Sequence, residues 1–238
     1  FQESHINQTE KINKVKNSKN NIVCMQPFEC KIFNICSQFK YKPSVLWMWE
    51  FKSLPNIFKH MEKYYKEIIT VSDFCLEVFN KNLSIPIRKI KLKSQIHNYL
   101  DKITNHEIEY KPLKTLLEKN KNKKVYGYCF DVNSSIIRKN VLNLVKAFSK
   151  TDNDEKILIL KTRPYRYQPD SLENSIIHEL YNIIDNNEHI HIINNQISIL
   201  DLYKLYTYFD YYISPHCGEG YGLTIYDNMI LGNKIISP

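Results

Sequence analysis

Short apolar runs alternate along the chain with longer stretches in which apolar residues recur every three or four positions. The short runs predict buried β-strands, and the longer stretches predict amphipathic helices. The predicted strands cover residues 21–26, 44–49, 67–72, 124–131, 156–162, 189–194, 209–214 and 234–237. The predicted helices lie near residues 53–65, 73–81, 139–150, 171–186, 198–207 and 222–231. This alternation predicts an α/β fold in which parallel sheets are covered by helices on both faces.

A change in composition near residues 95–123 predicts a boundary between two α/β units. Segment 107–124 is rich in Lys and Glu, and a strong predicted strand follows it directly. We therefore expect a polar N-terminal segment over residues 1–20, a first unit over 21–118 and a second unit over 119–238. Because the chain stops just after a strand, where doubly wound sheets usually continue, we expect the second unit to be incomplete at its C-terminus.

Composition narrows the class of protein. The 238 residues are 43% hydrophobic and 24% charged, as in ordinary globular proteins, which argues against a disordered, collagen-like or coiled-coil chain. No run of 18 apolar residues occurs, so no membrane-spanning helix is predicted. The net charge of +8 favours an anionic partner: a nucleic acid, an anionic membrane surface or a phosphorylated small molecule. The lysines are spread along the chain, so charge alone does not choose among these partners.

Cysteine and histidine spacing gives two further expectations. The six cysteines form no C-x-x-C pair, and most lie in apolar runs, which predicts buried free thiols and a reducing, cytoplasmic location. The eight histidines show no H-x-x-x-H or H-E-x-x-H spacing, so we predict no metal site.

Three closely spaced glycines lie between the predicted strand 209–214 and the predicted helix that follows it: Gly218, Gly220 and Gly222. Such a loop lets backbone N–H groups approach an anion at a helix N-terminus, which predicts phosphate binding. The alternative is a tight turn that needs a positive φ. Seven residues separate Glu219 from Asp227, and carboxylates at this edge of a sheet suit the hydroxyl groups of a sugar, from which each can accept hydrogen bonds.

A second polar cluster follows the predicted strand 124–131, where Arg138 and Lys139 open the predicted helix 139–150. Positive charge at a helix N-terminus opposes the helix dipole, and a bound anion would remove that conflict. The alternative is a solvated basic pair. Because both clusters lie at the carboxyl ends of strands in one unit, together they predict a site for a nucleotide diphosphate and its stabilisation as a leaving group.

Residues 214–223, followed by Asp227 and by 231–234, resemble the donor-site signature of the retaining GT-B glycosyltransferases of family 4. That signature carries two glutamates separated by seven residues around an E-G-F-G-L run, whereas the second acid here is aspartate. Residues 130–140 resemble the F-D-x-x-S-x-x-R-K-N block of one branch of the family. Upstream landmarks of the family, W-x-W-E, L-P and S-x-F, are matched at residues 47–50, 54–55 and 72–74.

The resemblance implies a GT-B-type fold and a glycosyltransferase activity. Residues 21–118 would form the C-terminal part of the acceptor-side domain, and 119–238 would form the Rossmann-like domain that binds the nucleotide sugar. The reaction would move a sugar from a nucleotide-diphosphate sugar to an acceptor hydroxyl with retention of configuration, in surface glycan or polysaccharide synthesis. The partners would be a nucleotide sugar and a glycan or lipid-linked acceptor at the membrane surface, with no bound cofactor, no metal and no nucleic acid.

The resemblance also implies roles for individual residues. Arg138 and Lys139 would hold the donor diphosphate, and Glu219 would contact hydroxyls of the transferred sugar, so these three are the catalytic candidates. Asp227 would bind the ribose. The other binding residues implied are Ser135, Gly220, Tyr221, Gly222, Leu223 and Thr224.

Two alternatives stay open at this stage. A nucleotide-sugar epimerase of the same fold would use the same donor site, and it would convert the free nucleotide sugar without an acceptor. A basic nucleic-acid-binding protein would bind oligonucleotides with a steep salt dependence. No RRM, KH or zinc-finger pattern in the sequence supports this last alternative.

Overall fold

Strands and helices alternate along the chain in a computed structural model, which describes residues 18–24, 39–151, 154–167, 171 and 173–238. The strands are β1 (Ile22–Cys24), β2 (Ser44–Leu46), β3 (Glu67–Thr70), β4 (Ile87–Lys89), β5 (Lys124–Cys129), β6 (Lys156–Lys161), β7 (Ile190–Ile193), β8 (Tyr211–Ile213) and β9 (Lys234–Ile236). The α-helices are α1 (Asn56–Lys59), α2 (Asp73–Asn82), α3 (Leu100–Asn105), α4 (Lys111–Lys119), α5 (Ile136–Lys139), α6 (Val141–Ser149), α7 (Glu173–Asp185), α8 (Ile199–Tyr206) and α9 (Leu223–Ile230). Short 3₁₀ helices within the described residues cover Glu62–Tyr64 and Gln95–Asn98.

The chain divides into two compact units, and the first runs to Leu92 and includes Glu219–Tyr221. Its sheet is wholly parallel, with the strand order β1-β2-β3-β4. Its core is built around aromatic rings that the sheet and helices α1 and α2 bury: Trp47, Trp49, Phe58, Tyr65 and Phe79. Trp47 contacts two of them: it meets Tyr65 edge-on, with ring centroids 5.5 Å apart, and it is tilted against Phe79, with ring centroids 5.9 Å apart.

The second unit comprises Lys93–Gly218 and Gly222–Pro238. Its sheet is also wholly parallel, with the order β7-β6-β5-β8-β9. The central strands are the apolar ones, and residues 157–160 of β6 are fully buried. Gly127 in β5 makes room for a ring, because a Cβ there would lie 2.2 Å from the side chain of Phe209.

Buried tyrosines line the core of the second unit beside the carboxyl end of β5. The Tyr212 hydroxyl donates to the Cys129 carbonyl over 3.1 Å, and the Tyr128 hydroxyl donates to the Lys139 carbonyl over 3.0 Å. Burial raises the pKa of the Tyr206 and Tyr212 hydroxyls well above the ordinary value. The phenols of Tyr206 and Tyr212 therefore stay neutral, and it is the Tyr128 hydroxyl that ties the end of α5 to the sheet.

The α/β class with parallel sheets is confirmed, and so is every predicted strand, with its ends shortened by one to three residues where they are described. Residues 25–26 of the first predicted strand lie outside the described residues, as do Cys30, Cys36 and most of the polar segment 1–20. The sequence did not predict β4, α3, α4 and α5. The predicted helix 53–65 is wrong as a single helix, because α1 ends at Lys59 and a 3₁₀ turn follows.

The division between the units falls earlier than the sequence predicts, between Leu92 and Lys93 rather than at 118/119. The physical reason is that the Lys- and Glu-rich stretch is amphipathic: α4 exposes its charges and buries Leu113 and Leu117 in the core of the second unit. Ile96 and Ile103 are buried in the same core. The composition change therefore marks a solvated helix face instead of a linker.

The prediction of buried thiols is correct only in part. Among the described cysteines, Cys75 is buried and Cys129 is half-buried, whereas Cys24 and Cys217 are exposed, and all four are free. Cys24 lies at the end of the outermost strand of its sheet, and Cys217 lies in the loop after β8, so apolar neighbours in sequence did not place either thiol in a core.

Candidate functional site

The site candidate in the second unit is the edge of the sheet where β5 and β8 end side by side. From β5 the chain proceeds outward through β6 to β7, and it then returns to β8 on the other side of β5 and continues to β9. The strand order reverses between β5 and β8, which makes this a topological switch point. In open parallel sheets, ligands bind in the crevice outside the carboxyl ends of the strands at such a point.

The loop after β5 leads into the short helix α5, and local contacts hold its start. Ser135 is the N-cap, and its Oγ accepts a hydrogen bond from the Arg138 amide over 3.3 Å. The Glu173 carboxylate accepts a second bond from the Ile136 amide over 3.1 Å. These contacts satisfy two of the amide donors that a helix start leaves open. Ser135, predicted as a binding residue, thus has a structural role as a cap.

The two cations of this cluster do not open a helix, and the electrostatic argument drawn from the sequence is wrong in that respect. Arg138 and Lys139 form the last turn of α5, where positive charge is favourable. Asn140 then adopts a left-handed conformation with φ 55°, and α6 begins only at Val141. Lys139 nevertheless lies two residues before the start of α6, so both cations remain at the carboxyl end of β5.

Arg138 connects the two loops of the switch point. Its Nη1 donates to the Gly218 carbonyl over 2.8 Å, and its Nη2 donates to Ser134 Oγ over 2.9 Å. Its own carbonyl accepts from the Cys217 amide over 2.8 Å. The neighbouring Asn140 amide group donates to the Pro215 carbonyl over 2.9 Å. The loop after β8 is therefore fastened to the loop after β5 by both the main chain and the side chains.

The glycine loop ends at Gly222, which is the N-cap of α9 and has φ 78° and ψ 51°. This left-handed conformation is the one that favours glycine, so the tight-turn alternative describes Gly222 correctly. Leu223 and Thr224 follow in the first turn of α9, where the backbone amides that open a helix have no carbonyl partner within it. The first bond of α9 runs from the Tyr226 amide to the Gly222 carbonyl over 2.9 Å.

Asp227 lies in the second turn of α9 and is buried. Its Oδ1 accepts a hydrogen bond from the hydroxyl of Ser94, at the start of the 3₁₀ helix Gln95–Asn98. Burial raises the pKa of the Asp227 carboxyl, and the bond from Ser94 and the nearby His97 oppose that rise only in part. Sequence reasoning missed Ser94, because it lies 133 residues away along the chain.

The remaining predicted site residues, Glu219, Gly220 and Tyr221, group with the first unit. The Gly220 carbonyl accepts a hydrogen bond from the Cys75 thiol over 3.6 Å, and a Cβ at Gly220 would lie 3.2 Å from the Trp49 carbonyl oxygen. The Tyr221 hydroxyl donates to the Leu92 carbonyl over 3.0 Å. The structure thus brings Ser135, Arg138, Lys139, Gly222, Leu223, Thr224 and Asp227 into one unit and assigns the other three to its neighbour.

Two cations at the end of β6, Lys161 and Arg163, also have partners within the protein. Lys161 is buried, and its Nζ donates to the Asn195 carbonyl over 3.1 Å and to the Thr162 carbonyl. Burial lowers the pKa of the Lys161 ammonium. Arg163 pairs with Asp131 over 3.2 Å. Both cations therefore hold the loops at the edge of the sheet in place.

Two searches of the described residues bear on metal and membrane binding. No group of three or more His, Cys, Asp or Glu side chains in this part of the chain could hold a metal ion. No helix there has both the length and the apolar character that a membrane crossing requires.

The fold of this chain is similar to the folds of several solved structures. No protein-family model and no curated protein sequence matches the chain. The chain is similar to an E. coli trehalose-6-phosphate synthase structure bound with UDP-2-fluoroglucose, with a TM-score of 0.71 at 10% identity over 96% of this chain and 62% of that one. It is also similar to a UDP-forming α,α-trehalose-phosphate synthase from Burkholderia xenovorans in complex with glucose-6-phosphate, with a TM-score of 0.71 at 9% identity over 99% and 65%.

A third similar structure is the α,α-trehalose-6-phosphate synthase of Burkholderia multivorans, with a TM-score of 0.70 at 10% identity over 99% of this chain and 63% of that one. The fold is of the GT-B type. Identities near 10% show the fold alone, and the chain spans less than two thirds of the length of each of these proteins.

Proposed function

We propose that the protein is a glycosyltransferase that moves a sugar from a nucleotide-diphosphate sugar to an acceptor hydroxyl. The observation that carries the proposal is the switch point of the second unit, where Arg138 fastens the loop after β8 to the loop after β5. Two cations, the start of α9 and a buried carboxylate lie on the loops and helices of this one edge. That set supplies charge and amide donors for phosphates and a carboxylate acceptor for hydroxyls.

Each part of the donor has a candidate partner. Lys139 and Arg138 would neutralise the diphosphate in the ground state and as a leaving group, so that no bound metal is needed. The amides at Gly222, Leu223 and Thr224 would meet phosphate or sugar oxygens. Asp227 would accept hydrogen bonds from the ribose, and Glu219, with Gly220 and Tyr221, would contact the transferred sugar.

The finer parts of the proposal rest on the sequence resemblance. The resemblance to family 4 implies retention of the anomeric configuration and a role in surface glycan or polysaccharide synthesis. A glycan or lipid-linked acceptor would be used at the cytoplasmic surface of a membrane. Of the three similar solved structures described above, one is named as a UDP-forming synthase and another is bound with UDP-2-fluoroglucose, which favours UDP as the first nucleotide to test.

The first experiment measures binding of UDP, GDP, ADP and a short DNA oligonucleotide by calorimetry at physiological salt. One nucleotide diphosphate should bind, and Lys139→Ala should weaken its binding by about 10-fold or more, since hydrogen bonds to charged groups contribute about 1.5–3 kcal/mol. Lys150→Ala is the matched control, because it removes the same charge from an exposed position at the end of α6. Equal losses in the two variants, or binding of DNA alone, would reject the proposed donor site.

Product analysis separates the transferase from the epimerase. Incubation of the protein with a nucleotide sugar and no acceptor, followed by NMR, should return the same sugar configuration. Appearance of the epimeric nucleotide sugar would establish the alternative activity.

A further inference from the structure

A hydrogen-bond chain of defined direction ends on the Asp227 carboxylate. Ser94 Oγ accepts from the Ile96 amide over 3.2 Å and donates to Asp227 Oδ1. Ser94 and Asp227 are 4% and 8% exposed, so this chain lies inside the second unit. A backbone N–H can only donate and an ionised carboxylate can only accept, which fixes the direction in which the Ser94 hydroxyl points.

Ring packing holds the segment that carries Ser94 against α9 at a second position. His97, on the same 3₁₀ helix as Ile96, stacks edge-on against Tyr226, with ring centroids 6.4 Å apart. Tyr226 is the residue before Asp227 on α9. The segment that carries Ser94 is therefore fastened to α9 at two neighbouring positions.

The Asp227 carboxylate can accept more hydrogen bonds than the one from Ser94. A carboxylate group offers about four lone-pair sites on its two oxygens, and Ser94 occupies one of them on Oδ1. The others are enough for the two hydroxyls of a ribose. A carboxylate that is already held in one orientation loses less side-chain entropy when a ligand binds.

We propose that Ser94 is a positioning residue for the donor nucleotide: its hydroxyl holds the Asp227 carboxylate in the orientation that receives the two ribose hydroxyls. This inference rests on the proposed function. The resembled signature has glutamate where this chain has Asp227, and a shorter side chain reaches a fixed ligand from fewer orientations. The hydrogen bond from Ser94 therefore matters more for orienting an aspartate carboxylate than it would for the longer and more adaptable side chain of glutamate.

The test compares binding of UDP and 2′,3′-dideoxy-UDP to the full chain by calorimetry. The unmodified protein should prefer UDP by about 10-fold or more, the size expected for hydrogen bonds to a charged group. Ser94→Ala should lose most of that preference through weaker binding of UDP, while binding of the dideoxy analogue stays the same. Ser94→Thr keeps the hydroxyl and should restore the preference, and Asp227→Asn should lack it.

Ser198→Ala is the matched control. Ser198 also caps a helix, since its Oγ accepts from the Asp201 amide over 3.0 Å, and loss of that cap should leave the preference for UDP unchanged. Circular dichroism checks that each variant is folded. If UDP, GDP and ADP all fail to bind the unmodified protein, the proposed function falls and the inference falls with it. If the preference for UDP is lost in Asp227→Asn but kept in Ser94→Ala, only the role of Ser94 is overturned. If UDP binds with no preference over the dideoxy analogue, or keeps its preference in Asp227→Asn, the ribose contact of Asp227 is overturned together with the role of Ser94, while nucleotide binding itself stands.

Discussion

Arg138 donates to the protein itself through both terminal nitrogens of its guanidinium, Nη1 to the Gly218 carbonyl and Nη2 to Ser134 Oγ. A lysine at this position would keep the charge and lose the planar fork that reaches both partners. Arg138 thus differs from Lys139 in kind: it is expected to shape the loop after β8 as well as to supply charge.

The variant Arg138→Lys separates these two roles. We expect faster hydrogen exchange at the Cys217 amide, which bonds to the Arg138 carbonyl, together with UDP binding weakened several-fold despite the unchanged net charge. Exchange mass spectrometry and calorimetry measure the two effects. Unchanged exchange at Cys217 with weaker UDP binding would assign Arg138 to the ligand alone.

Gly222 offers a second test at the scale of one residue, because its φ of 78° lies in the left-handed region. Gly222→Ala should lower the free energy of unfolding by about 1–2 kcal/mol, the cost of that conformation for a residue with a Cβ. Gly232→Ala is the matched control: Gly232 has φ 82° and open space around its Cβ position. Both variants should lose similar stability by urea unfolding, and only Gly222→Ala should also weaken UDP binding. Loss of UDP binding in Gly232→Ala as well would trace the effect to general destabilisation.

At the scale of elements, Asp201 joins the first turn of α8 to the segment between α3 and α4. Its carboxylate accepts from His106 Nε2 over 2.7 Å and from the amides of Glu109 and Tyr110 over 3.0 and 3.1 Å. Burial alone would raise the pKa of the Asp201 carboxyl, but these three donors outweigh it and leave the pKa below the ordinary value.

This contact predicts a pH-dependent contribution to stability. Because the folded-state pKa is lowered, the stabilisation is fully present above the unfolded-state pKa of about 3.9 and is lost as the pH falls through the lower folded-state value. Asp201→Asn should therefore cost about 2–4 kcal/mol near pH 7 and progressively less as the solution is acidified. Urea unfolding at a series of pH values measures the difference. The exposed Asp185→Asn control should stay within about 0.5 kcal/mol at every pH, and a constant penalty in Asp201→Asn would contradict the electrostatic account.

The elements that the sequence predicted are those with strong local patterns. The run Ile157–Leu160 is apolar at every position, and it forms β6 with at most one residue of difference at its end. The strand β4 has no such pattern, since Arg88 and Lys89 are exposed on a three-residue edge strand. Helix α4 does have a helical pattern, because Leu113, Leu116 and Leu117 are apolar and lie at helical spacing. The charged residues around them obscured this pattern.

In the candidate site too, the sequence predicted the features that depend on local pattern and missed those that depend on contacts between distant residues. Glycine spacing and the Arg138–Lys139 pair are local, and the sequence located both at the ends of neighbouring strands. The partner of Asp227 is not local, because Ser94 reaches it across the fold of the second unit. Nor could the sequence predict that Asn140 would adopt φ 55° and place the two cations at the end of one helix instead of the start of another. Such features depend on tertiary contacts, which override local propensity.

At the scale of the whole molecule, each unit has its own parallel sheet and its own core. The two tryptophans of the chain, Trp47 and Trp49, both lie in the core of the first unit. Tryptophan fluorescence therefore reports unfolding of that unit, while hydrogen exchange in β5 and β6 reports the second. The chain thus carries separate probes for its two units.

These probes test which unit carries the donor site. UDP at about 100 times its Kd should stabilise the species that binds it by about 2.7 kcal/mol, so amides of β5 and β6 should gain about that much protection against exchange. Lys139→Ala should abolish the gain at the same UDP concentration, and Lys150→Ala should keep it. If UDP instead raised only the fluorescence midpoint in urea and left β5 and β6 unprotected, the nucleotide would bind to the first unit. The switch point between β5 and β8 would then have to be abandoned as the donor site, because a ligand seated on the loops of a sheet protects the strands that carry them.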